Sequence, residues 1–124
     1  MQVPILKQGS YLIASVQAAL TDADLLDLRD RLAVQVGVYR SRGVVVDVTV
    51  LDVMDSFATR MLRSIAQILR LRGAETVIVG MQPDVAFAMV QLGLRLEGVS
   101  TALDLEEGLE LLRRREKGGS NHGR

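Results

Sequence analysis

Val44-Val45-Val46-Asp47-Val48 is a β-branched run broken by one acid. That is how a strand covered on both faces reads, so the run is expected to be the central strand of a sheet. The segments on either side fit an alternation of helices and strands around it. Upstream, Thr21 followed three residues later by Asp24 has the form of a capping box. Leu25, Leu28, Leu32 and Val36 then recur at helical spacing, and the helix is expected to run to Arg42 and end on Gly43 in a left-handed conformation. Downstream, a second helix is expected from Ser56, with Phe57, Met61, Ile65, Ile68 and Leu69 inward, ending on Gly73. Arg70-Leu71-Arg72-Gly73 before Thr76-Val77-Ile78-Val79 repeats the chemistry of Arg40-Ser41-Arg42-Gly43 before Val44, which gives two similar helix-to-strand joints.

The two ends of the chain complete the architecture. Ile5-Leu6 and Tyr11 to Val16, separated by Gln8-Gly9-Ser10, predict an opening hairpin. Pro83 opens a short third helix that stops near Gly93, and Val85 to Val90 is apolar on more sides than a surface helix requires, which is read first as burial. A last short strand is expected at Val99 to Leu103. A closing helix is expected from Leu105 to Arg114, with Leu105, Leu109 and Leu112 inward. The expected fold is α/β: one domain over residues 1–112 with a mixed sheet, parallel central strands and about four helices, then a basic, disordered tail over 113–124.

Composition narrows the chemistry. Lys plus Arg and Asp plus Glu each count 15, and aromatics make up only 3%. Nucleic acid is therefore a poor candidate partner, since neither a basic surface nor a stacking platform is available. The zero net charge is uneven. Residues 113–124 hold five basic groups and one acid, which leaves ten bases and fourteen acids, a balance of −4, in the rest. There is no cysteine, and the one histidine, His122, lies near the carboxyl end. Thiolate chemistry, thiolate metal sites and histidine-based triads are thereby excluded from the core, and neither a metal site nor a catalytic residue is expected. No strand is followed by a phosphate-binding glycine loop, so no cofactor is expected either. The longest apolar run is too short to span a membrane and Met1-Gln2-Val3-Pro4 is not a signal peptide, which predicts a cytoplasmic protein without a membrane partner.

Asp52-Val53-Met54-Asp55-Ser56-Phe57 is the most informative stretch, because it follows the central strand, where α/β folds place functional loops. Ser56 reads as the N-cap of the second helix, and most serines so placed only cap. A phosphate on it would nevertheless meet unpaired amides and the positive end of the helix dipole, so the fold tolerates modification there. A partner resting on Met54, Asp55, Ser56 and Phe57 would have to desolvate that added charge. Thr59 is a secondary hydroxyl candidate. Arg60 and Arg63, in an acid-free run from Ser56 to Ala74, are candidates to meet an acidic partner, although such runs are usually solvated faces.

Val46-Asp47-Val48-Thr49 followed by Asp52-Val53-Met54-Asp55-Ser56-Phe57 resembles the signature of STAS domains, the sulphate transporter and anti-sigma factor antagonist family. Pro4-Ile5-Leu6-Lys7, Gly80-Met81-Gln82-Pro83 and Leu92-Gly93-Leu94 make the chain similar to the small scaffold proteins of the stressosome. The resemblance implies a protein without enzymatic activity that holds a serine/threonine kinase of the anti-sigma factor type and releases it once Ser56 is phosphorylated. It also implies homo- and hetero-oligomers with a STAS-containing stressosome co-scaffold protein. Many antagonists have Asp-Ser-Ser-Gly where this chain has Asp55-Ser56-Phe57-Ala58, a departure that agrees with the stressosome branch. Two alternatives compete: a two-component receiver-like domain phosphorylated on Asp47, and a small enzyme using Asp47, Asp52 or Asp55 as acid or base. The receiver lacks its acidic cluster after the first strand, since Ile5-Leu6-Lys7-Gln8-Gly9 contains no acid.

Overall fold

In the computed structural model the backbone is described for residues 2–122 and side chains as far as Lys117. Strands β1 (Ile5–Gln8) and β2 (Tyr11–Ser15) form the expected hairpin. Helix α1 (Asp22–Tyr39), β3 (Gly43–Asp47), α2 (Ser56–Leu71), β4 (Glu75–Val79), α3 (Pro83–Gln91), β5 (Ser100–Ala102) and α4 (Leu105–His122) follow. The sheet order is β1-β2-β3-β4-β5, antiparallel only between β1 and β2. The valine run is thus its middle strand. Because every parallel crossover runs the same way, the helices begin at the carboxyl ends of the strands and gather their connecting loops there.

The alternation of side chains along β3 divides the core into two parts. Val44 and Val46 face α1, α2 and α3, in a cluster with Leu28, Leu32, Val36, Leu62, Ile65 and Leu69. Val45 faces the other way, with Tyr11, Ile13, Val77 and Val79, and is covered by Leu109 and Leu112 of α4. Three helices lie on one face of the sheet and one on the other.

Four sequence expectations change here. Helix α1 stops at Tyr39, and Arg40, at φ 51°, takes the left-handed position expected of Gly43. Gly43 instead opens β3. A Cβ there would come within 2.8 Å of a Leu112 methyl, so the glycine admits α4 rather than turning the chain. Helix α2 is rotated from its expected face: Thr59, Leu62 and Ala66 are buried with Ile65 and Leu69, while Phe57, Met61 and Ile68 are only partly covered. The apolar stretch of α3 is split, with Val85 and Met89 buried and Phe87 and Val90 exposed. Finally, α4 continues through the region expected to be a disordered tail, as far as His122; Gly123 and Arg124 lie outside the described residues. The Tyr11 hydroxyl donates to Glu116 Oε2 at 2.7 Å, a contact across 105 positions that ties this end of α4 to the sheet. The Thr21–Asp24 capping box forms in both directions, and Gly73, at φ 90°, follows α2 as expected.

Candidate functional site

The loop between β3 and α2 is shaped from within. Asp47 Oδ1 accepts from both the amide and the hydroxyl of Thr49, at 3.0 and 2.6 Å, folding the chain back as it leaves the strand. The Thr49 carbonyl accepts from Gln82 Nε2 at 2.8 Å, which joins this loop to the start of α3. Thr49 also fills the space beside Gly80, whose φ of 79° and lack of a side chain allow the two loops to touch. Asp47, the acceptor in the receiver alternative, is thus committed to loop geometry. Among the described residues no group of three metal-ligating side chains gathers around it or elsewhere.

The cap of α2 lies one residue earlier than the sequence suggested. Asp55 is the N-cap, its Oδ1 accepting from the Ala58 amide at 2.8 Å, and Ser56 is the first helical residue. Both residue types cap well, and the register chose the acid. The correction frees Ser56. Its side chain is half-buried, and its hydroxyl takes no hydrogen bond among the described residues. It therefore stands at a helix start where backbone amides lack intrahelical partners and the dipole favours an anion.

The other predicted residues separate. Met54 is only 6% exposed and belongs to the core under α1 and α2, so it is not available to a partner. Thr59 is fully buried, and its hydroxyl donates to the Asp55 carbonyl at 2.9 Å, which removes it as a surface acceptor. Phe57 is half-buried beside Ser56. Arg60 is exposed one turn along from Ser56, whereas Arg63 donates to the Arg95 carbonyl at 3.0 Å. Arg70 likewise reaches the Gly98 carbonyl, and Arg72 lies against Gly37, so most of the arginine run fastens α2 to its neighbours. Sequence reasoning missed Val50 and Val53, which point from the loop into solvent; Val53 is 72% exposed. Two valines in a loop that the core does not need were the available signal. They place apolar surface at the same end of the sheet as Ser56.

No helix among the described residues is long and apolar enough to cross a membrane. Solved structures share the fold. An RsbS variant of Moorella thermoacetica carrying a serine-to-glutamate substitution superposes with a TM-score of 0.80 at 32% identity, covering 94% of this chain and 99% of that one. A chain from the molecular architecture of the stressosome, described as a signal integration and transduction hub, gives 0.77 at 34%, covering 91% and 98%. By sequence, the RsbT co-antagonist protein RsbRA of Bacillus subtilis (strain 168) is 31% identical over 72 residues, or 58% of this chain and 26% of that protein. The chain therefore spans about a quarter of that curated relative's length. The family model for the STAS domain matches residues 2–108, and the chain belongs to the STAS domain family.

Proposed function

We propose that this chain is a phosphorylation-controlled anti-sigma factor antagonist of the stressosome type, a binding module without catalysis of its own. It holds a serine/threonine kinase of the anti-sigma factor type, is phosphorylated on Ser56, and then lets the kinase go. It assembles with further copies and with a STAS-containing co-scaffold protein, and it works in the cytoplasm. The observation that carries the reading is the placement of Ser56: a hydroxyl unbonded within the described residues, at the first position of α2, beside Asp55 and among Val53 and Phe57. Similarity over nearly the whole length to RsbS and to a stressosome chain supports the choice of branch.

The mechanism follows from one helix terminus seen from two sides. For the domain, an anion at the start of α2 gains about 0.3–1 kcal/mol from the dipole, so the fold absorbs the modification. For the partner, an interface over Val53, Ser56 and Phe57 must bury a charge of about −1.5 to −2 next to the Asp55 carboxylate. Loss of even ~3 kcal/mol weakens binding roughly a hundredfold. Arg60, one turn from Ser56, is placed to meet the phosphate and hold it on the domain. The test combines mass spectrometry and calorimetry. Incubation with the kinase and ATP should place one acid-stable phosphate on Ser56, Ser56→Asp should bind the kinase about a hundredfold more weakly, and Ser56→Ala should bind as the native chain does. An acid-labile phosphate on Asp47, or equal affinities for all three proteins, would overturn the reading.

A further inference from the structure

Behind the loop that presents Ser56 lies a pocket of about 120 Å³, open at one side, between the start of α1 and the first two turns of α2. Leu25, Leu51, Met54, Ala58 and Leu62 form much of its wall, and every lining side chain except Asp55 is apolar. We propose that this pocket is a binding site for a short aliphatic molecule bearing a hydrogen-bond-donating head group, an amine or an alcohol of about four carbons.

Three observations support this. First, the walls are held open by the backbone. The Val16 amide donates to the Asp47 carbonyl at 3.0 Å, the Val48 amide to the Val79 carbonyl at 3.0 Å, and the Leu51 amide to the Val48 carbonyl at 2.9 Å. These bonds hold the backbone of three lining residues in place, so little must be reorganised there on binding. Second, its size suits the ligand. An apolar cavity of ~150 Å³ engineered into another protein stays dry and takes up benzene, and a butyl chain is no larger. Third, the one polar lining group selects the head. Asp55 Oδ1 is occupied by the Ala58 amide, and Oδ2 has no hydrogen bond among the described residues, so it can accept one from a ligand. A carboxylate at the rim attracts an ammonium or hydroxyl group and repels a fatty acid of the same length. The site does not depend on phosphorylation of Ser56.

The test is a titration of the native, methyl-labelled chain with n-butylamine, n-butanol and n-butyrate, followed by NMR. Methyl shifts at Leu51, Leu62 and Val48 should saturate at about 1–10 mM for the amine and the alcohol, with butyrate at least tenfold weaker. Ala58→Met, which fills the pocket with a good helix former, should abolish the saturable shifts while circular dichroism stays native. Asp55→Asn, which still caps the helix, should bring butylamine and butyrate to within about threefold of each other. The proposal is overturned if no shift saturates below about 50 mM, if butyrate binds as well as butylamine to the native chain, or if Ala58→Met keeps its folded spectrum and still saturates. Methyl shifts that appear only when the kinase is added would give the pocket to a side chain of the partner and overturn it equally.

Discussion

At the amino ends of the parallel strands, Tyr11 and Arg42 meet Glu116, and Arg70 and Arg115 meet Glu75, around the far end of α4. At the carboxyl ends, Val50 and Val53 face solvent and Ser56 waits at the head of a helix with an unbonded hydroxyl among the described residues. The same sheet thus ends in charge and contact on one side and in apolar surface on the other. The ion pairs themselves explain little of the difference in strength. They are 3.7 to 3.9 Å long and partly exposed, and such pairs contribute about 0–1 kcal/mol each. What anchors the amino end is Leu112, which is buried against Gly43 and the sheet. The amino end is closed by α4, and the carboxyl end leaves apolar side chains exposed.

The largest effect that would sharpen this contrast is Leu112→Ala. Removal of a buried leucine in a tightly packed site costs about 2–5 kcal/mol, and denaturant titration should show a loss in that range with kinase affinity unchanged in the protein that remains folded. A loss under 1 kcal/mol would mean that α4 is not the anchor. Next comes the pH dependence of the same end. Burial first, and then the bond to Glu116 and its charge, push the Tyr11 hydroxyl up to about 12 from 10.0. A raised value in the folded state means that the stability resting on neutral Tyr11 is complete below pH ~10 and is lost as pH rises towards ~12. The full shift would correspond to about 2.7 kcal/mol, but Glu116 is a third exposed, and solvent screening brings the expected loss to about 1 kcal/mol. Unfolding of Tyr11→Phe should lack this alkaline limb, and an identical slope in both proteins would break the link between α4 and β2. The smallest effect is expected at the other end: Val53→Ala should change the unfolding free energy by less than about 0.5 kcal/mol. A larger loss would show that the loop is part of the core after all.

The regular elements were legible because they rest on local signals. The Thr21–Asp24 box and Pro83 each fix a boundary through chemistry within four residues and are where the sequence placed them, and the valine run is the middle strand with its bounds one residue earlier. The errors share a different cause. Whether Asp55 or Ser56 caps α2 is a choice between adjacent residues of nearly equal capping strength, settled by the register of the whole helix. The buried face of α2 was misjudged because Thr59 and Ala66 count as core in this packing although neither is large. Arg40 in the left-handed region has no sequence signal, and the glycine three positions on drew the helix end to itself. The contact from Tyr11 to α4 comes from the opposite end of the chain, and a basic segment running into Gly118-Gly119-Ser120 reads as a tail until that partner is known. At the site, the position of the Asp55-Ser56 pair was readable, while which neighbours face outward was decided by tertiary packing: Met54 went in and Val53 out.

The single helix on the second face also sets how the molecule would fail under proteases. Leu103 stands 81% exposed just before α4, in the short connection from β5. A cut there would leave α4 attached only by side-chain packing. Its departure would uncover Ile13, Val45, Val77 and Val79 as one continuous strip across three strands. Such a strip of β-branched residues is an apolar surface on which another sheet of the same kind can stack. Nicked protein should therefore be lost to aggregates rather than persist as a soluble fragment.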